Sequence, residues 1–129
     1  MSRGAAHYSP RVLELFAQLP GADALAVGAG SLASGEAIAL DRGAWIRFEA
    51  RIDGGRIVDC VFRAWGCPHT LAAAAWVATE IRNGGIAGGA AIDASRLMRE
   101  LAAPAEKMGR LLVVEDALRA LLDRARAVQ

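Results

Sequence analysis

The sequence predicts a single α+β domain spanning residues 1–129, an antiparallel sheet packed by helices. Three observations predict it. Two runs of alternating apolar and polar residues flank an Asp-Gly-Gly turn, an alanine-rich stretch of high helix propensity follows them, and the C-terminal run repeats apolar residues at three and four positions. At 129 residues and 54% hydrophobic content the chain is long enough for one core and too short for two. A formal charge of +1 supplies no cationic excess for a phosphate backbone, which disfavours nucleic acid as partner.

The elements follow in order. Ser9 then Pro10 is a helix start, serine as N-cap and proline at the first helical position, and Val12, Leu13, Leu15 and Phe16 continue at helical spacing to a stop at Pro20-Gly21. Residues Gly21 to Gly35, rich in Gly, Ala and Ser, read as an irregular connection, with a weak strand over Ala37 to Leu40. In the hairpin, Ile46, Phe48, Ala50 and Ile52 alternate with Trp45, Arg47, Glu49 and Arg51, Asp53-Gly54-Gly55 makes the turn, and Arg56 to Trp65 returns. Period-two spacing puts Val58, Cys60, Phe62 and Ala64 on the core face of that return strand, and Ile57, Asp59, Val61, Arg63 and Trp65 on the other. Gly66-Cys67-Pro68 ends it, and a helix is expected from Thr70 to Arg82, closed by Asn83-Gly84. Asp93 caps a short helix holding Leu97, Met98 and Leu101, which Pro104 terminates. The last helix starts near Leu111, with Leu111, Val114, Leu118, Leu121, Ala125 and Val128 as its apolar stripe.

The longest apolar run, Leu71 to Ala78, falls short of the roughly 20 residues that cross a bilayer, so no membrane span is expected. The start lacks the apolar segment of a secretory signal, and the expected location is cytoplasmic. Cys60, inside a strand, and Cys67, just beyond it, are expected to be free thiols.

Cys67 carries the strongest chemical suggestion, because unpaired N–H groups and the dipole at a helix start favour a thiolate. The other reading of its position, a small residue filling a strand-to-helix corner, stands beside it. His69, two residues on, could join Cys67 in binding a metal, although soft-metal sites normally need four ligands; otherwise it is a polar residue of the helix's first turn. His7 receives no role. Trp45, Trp65 and Trp76 read as core or interface packing, and Gly28-Ala29-Gly30 lacks the Gly-Lys-Ser/Thr ending of a phosphate loop. No Ser-His-Asp set or carboxylate pair emerges, so the chain is not expected to be an enzyme.

Three separated segments resemble the U-type iron-sulfur cluster assembly scaffolds, IscU and the NifU N-terminal domain. Tyr8-Ser9-Pro10-Arg11-Val12 is similar to the family's opening Tyr-Ser-x-x-Val, Ile52 through Cys67 to its hairpin ending in aromatic-Gly-Cys, and Glu115-Asp116-Ala117-Leu118 to the Glu-Asp-Ala-Ile of its last helix. The resemblance implies a three-stranded, mainly antiparallel sheet packed by helices. It also implies a site that takes sulfur from a cysteine desulfurase and holds an iron-sulfur cluster or zinc. The family's Cys-Gly-Asp segment falls on Asp41-Arg42-Gly43 here, its Gly-Cys on Gly66-Cys67 and its His-Cys on Gly109-Arg110, so Cys67 alone of the ligands is kept. Of the chaperone contact Leu-Pro-Pro-Val-Lys, Ala103-Pro104-Ala105-Glu106-Lys107 keeps Pro104 and Lys107.

One thiolate per chain makes a poor cage, and a cluster or zinc is not expected to be held tightly by a single subunit. Two functions follow. In one, an accessory or degenerate scaffold accepts sulfur or metal transiently at Cys67, with a cysteine desulfurase or other assembly protein as partner and a homo-oligomer left open. In the other, a non-metal interaction or regulatory module keeps the fold, and an Asp41–Arg110 ion pair closes the site while Arg110 stabilises a Cys67 thiolate.

Overall fold

The computed structural model describes residues 8–22, 24, 25 and 28–128; His7 and parts of the Gly21 to Gly35 connection lie outside them. Helix α1 (Pro10–Gln18) precedes strands β1 (Ser31–Ala39), β2 (Ala44–Asp53) and β3 (Arg56–Trp65), followed by α2 (Pro68–Ala90), α3 (Ala94–Leu101) and α4 (Met108–Ala127). Short 3-10 turns occupy Leu40–Arg42 and Ala105–Lys107. The strands form one antiparallel sheet in the order β1-β2-β3. Helix α4 packs across β1 and β2 and α2 across β3, the two helices touching each other over the sheet.

The expected starts hold at atomic detail. Ser9 Oγ accepts from the Val12 N–H at 3.2 Å and donates to the Leu101 carbonyl at 2.6 Å, so one hydroxyl caps α1 and ties it to the end of α3. Asp93 accepts from the Arg96 N–H at 2.8 Å, as its capping role requires. Glu115, from α4, accepts from the Ala94 N–H at 2.7 Å, which satisfies a second orphan donor of the same helix start. Helix α3 stops before Pro104 is reached, at Ala102 in the left-handed conformation (φ 47°). Helix α4 begins three residues earlier than expected, and it buries Leu111, Val114, Leu118, Leu121 and Ala125 of the predicted stripe while Val128 is left exposed.

Two expectations are corrected, one on β1 and one on β3. The first strand is not a weak piece over Ala37 to Leu40 but runs Ser31–Ala39, antiparallel to β2 throughout. Its inward residues are Ala33 and Gly35, small because the helix lies close: a Cβ at Gly35 would run into the Leu121 amide and the Ala117 carbonyl of α4. The expected closure of the helix at Asn83-Gly84 holds: directly after it Gly85, with φ 65° and ψ −154°, interrupts α2, and a second helical stretch runs on to Ala90. On β3, Arg51 pairs with Asp59 but Ile52 pairs with Ile57, so Val58 is an extra residue, a β-bulge. The bulge reverses alternation below it: Ile57 packs against the core and Val58 is 57% exposed.

Cys60 and Phe62 stay in the core, with Ile46, Phe48, Ala50 and Ile52 of β2. Of the three tryptophans, Trp76 is buried under the Arg96 guanidinium, 5.2 Å from the ring centroid, whereas Trp65 is exposed and Trp45 half-buried. On the outer face Ile38, Trp45 and Trp65 stand in cross-strand register, a row of large apolar side chains at the end of the sheet where β3 runs into α2. No helix among the described residues is long and apolar enough to cross a membrane.

The contact of β1 with the α4 backbone is the tightest constraint in this packing. Gly35→Ala is expected to cost about 3 kcal/mol, because neither the strand nor the helix backbone can yield to the added methyl. Urea unfolding should show a lowered midpoint with an unchanged slope, and a midpoint within error of the parent would contradict this packing.

Candidate functional site

Everything that positions Cys67 is local. Gly66 leaves β3 at φ 153°, and a Cβ there would press on Thr70 at 3.0 to 3.1 Å, so the corner requires glycine. Cys67 is then the N-cap of α2 and Pro68 its first helical residue, which places the sulfur over the orphan N–H groups of the first turn. Thr70, three residues on, turns its hydroxyl back to Cys67 Sγ at 3.6 Å. The contact joins the N-cap and N3 side chains directly. Sequence reasoning passed over Thr70, although its spacing from the N-cap was the signal that could have found it.

The two thiols are free and differ in state. Burial pushes Cys60 up to about 12, the nearby Arg82 cation only partly offsetting it. Burial also raises Cys67, but there the hydrogen bonds from the Thr70 N–H and hydroxyl, the Lys107 ammonium and the His69 N–H outweigh it and bring the thiol below its usual value. Cys67 is partly exposed and thiolate-prone; Cys60 is buried and inert.

His69 is 1% exposed, and both ring nitrogens are buried without a hydrogen-bond partner. Its ring leans on Tyr8, centroids 4.9 Å apart. Burial lowers its pKa, and Lys107 and Arg110 lower it further against the opposing pull of Glu106, so the imidazole is neutral at pH 7.

The positions expected to replace the family's ligands lie in the first 3-10 turn and at the start of α4. Arg42 lies so close over Gly109 that a Cβ there would strike its guanidinium, and Arg110 acts on His69. Asp41 is exposed in the 3-10 turn, and Gly43 closes that turn at φ 62°, exposed. Pro104 caps the second 3-10 turn and Lys107 ends it, directly before α4. The expected Asp41–Arg110 ion pair does not form: Arg42, the neighbour of Asp41, takes the place over α4. The cation acting on Cys67 is Lys107 rather than Arg110.

These residues do not fit a cluster or a tetrahedral zinc. Among the described residues no three His, Cys, Asp or Glu side chains gather as ligands, and His69, the nearest candidate, has its nitrogens buried in the field of two cations.

The family model for the NifU-like N-terminal domain matches residues 7–126. No curated protein sequence matches. Among solved structures, the chain is similar to the N-terminal part of a nitrogen-fixing NifU-like protein from Brucella abortus, at 17% identity and a TM-score of 0.60 over 93% of this chain and 92% of that one.

Two measurements check the site. Iodoacetamide should modify Cys67 with a midpoint below that of an ordinary thiol and leave Cys60 untouched until the protein unfolds, and Thr70→Val should slow the Cys67 reaction severalfold at neutral pH. Equal reactivity of the two thiols would refute this assignment. For His69, the folded-state pKa lies below the unfolded one, so its contribution is intact above about pH 6.5 and is lost as pH falls through the lower folded value. Denaturant midpoints should therefore drop below about pH 6.5 more steeply in the parent than in His69→Gln.

Proposed function

Since the chain belongs to the NifU-like N-terminal domain family, we propose that it serves iron-sulfur cluster assembly as an accessory scaffold that accepts sulfur at Cys67 instead of containing the finished cluster. The observation that carries this reading is the state of Cys67: a partly exposed thiol at a helix N-cap, lowered by Thr70 and Lys107, beside a second thiol that is buried and raised. A thiolate is the form that attacks sulfur. Its attack on the terminal sulfur of a donor persulfide forms one S–S bond as the donor's S–S bond breaks, and the donor thiolate leaves with the electron pair. No oxidant is required.

A cysteine desulfurase is the donor this chemistry suits, and the outer-face row of Ile38, half-buried Trp45 and Trp65, the last of them two residues before Cys67, is a face on which such a protein can dock. The same row favours the second reading, an interaction module whose binding does not involve sulfur. The two readings differ in what Cys67→Ser does.

With cysteine and a desulfurase, the purified chain should gain the mass of one sulfur atom at Cys67, and Cys67→Ser should gain none. Iron added afterwards should give no visible absorbance that survives desalting. Absence of the Cys67 persulfide, with partner capture unchanged in Cys67→Ser, would replace sulfur acceptance by the interaction module.

A further inference from the structure

Beside Cys67 and His69 the charge is positive where a metal site is negative: Lys107 acts on both and Arg110 on His69. Arg42 lies over Gly109 at the start of α4, Lys107 ends the turn just before that helix, and Arg110 follows Gly109. Among the described residues none of the three cations makes an ion pair, although Glu106 faces His69 and Asp41 adjoins Arg42. The start of α2, where Cys67 sits, adds a further positive pole. A second observation points to a guest: the two ring nitrogens of His69 are the buried side-chain atoms among the described residues that have no partner, and Lys107 and Arg110 act on that ring. A neutral imidazole can offer one donor and one acceptor to whatever enters.

We infer that Arg42, Lys107 and Arg110 hold the sulfonate end of a small anionic sulfane donor, of the thiosulfate class, while Cys67 takes its outer sulfur. The inference rests on the sulfur-acceptor reading and names a donor for it. Arginine and lysine together suit a polyatomic oxyanion, the first by its planar fork and the second as a point charge. The Cys67 thiolate attacks the outer sulfur of thiosulfate, an S–S bond forms to Cys67, the S–S bond of thiosulfate breaks, and sulfite leaves with the electron pair. The product is a persulfide anion at the place Lys107 already favours for the thiolate. A divalent metal ion entering the same space meets these cations and is repelled.

The test uses the whole chain with excess thiosulfate, followed by intact mass and by sulfite release. The expected result is one added sulfur on Cys67 with one sulfite released per adduct, suppressed by added sulfate, slowed about tenfold by Lys107→Gln or Arg110→Gln, and restored by Lys107→Arg. In parallel, the ratio of Cys67 alkylation by anionic iodoacetate to that by neutral iodoacetamide should fall in the glutamine variants, a change that altered thiol ionisation alone would not produce. If a desulfurase loads Cys67 and thiosulfate does not, the donor class is wrong and the acceptor reading stands. If neither loads it, both fail. If thiosulfate loads parent and glutamine variants at equal rates, with an unchanged alkylation ratio, the cations do not form the anion site.

Discussion

The backbone at Gly66 is the constraint on which the site depends. At φ 153°, with Thr70 closing the space where a Cβ would be, it turns β3 into α2 within one residue and fixes Cys67 as the helix N-cap. From that placement the rest follows without further residues of special type. The orphan N–H groups of the first turn face the sulfur, Thr70 reaches back to it, and burial, which by itself would raise the thiol, is overcome. Cys60 lies seven positions earlier in mid-strand with none of these donors, and there burial wins. The contrast between the two cysteines is one of environment: burial prevailing at Cys60, burial offset by donors and a cation at Cys67.

How much of this could be read from the sequence depends on the range over which each signal acts. Ser9-Pro10, Asp53-Gly54-Gly55 and Asp93 act through their own backbone within a few residues, and the elements they announce are where they should be. Strand β1 was hidden because Ala33 and Gly35 were chosen by the nearness of α4, a helix more than 70 residues away, and small residues carry no strand signal. The bulge at Val58 exchanged the expected faces of Ile57 and Val58, at the turn end of β3, because alternation presumes an uninterrupted register. Thr70 was legible in principle as the third residue of a capped helix. The pairing of Asp41 with Arg110 could not be settled at all, since it depended on which of two adjacent side chains, Asp41 or Arg42, the 3-10 turn sends towards α4.

Membership of the NifU-like family and absence of a ligand set are compatible because different residues answer for them. The contacts that hold the fold, Glu115 on the start of α3, Ser9 between α1 and α3, Gly35 under α4, involve no ligand position. Apart from Cys67, the positions that the resemblance aligns with ligands lie in an exposed 3-10 turn and at the start of α4, where Asp41, Gly43 and Gly109 bury no core side chain. They can change without loosening the sheet or its helices.

Electrostatics then sets the direction such changes take. Two like unit charges about 5 Å apart repel by about 3 kcal/mol at an effective dielectric of about 20, so each cation brought to the rim of a metal site opposes the metal by an amount comparable to the loss of a ligand. Lys107 and Arg110 both act on the space beside Cys67, and Arg42 joins them over Gly109. The same charges stabilise a thiolate and any anion it reacts with. Absent ligands and present cations therefore act in one direction, against a metal ion and in favour of an anion, on a fold that remains that of the family.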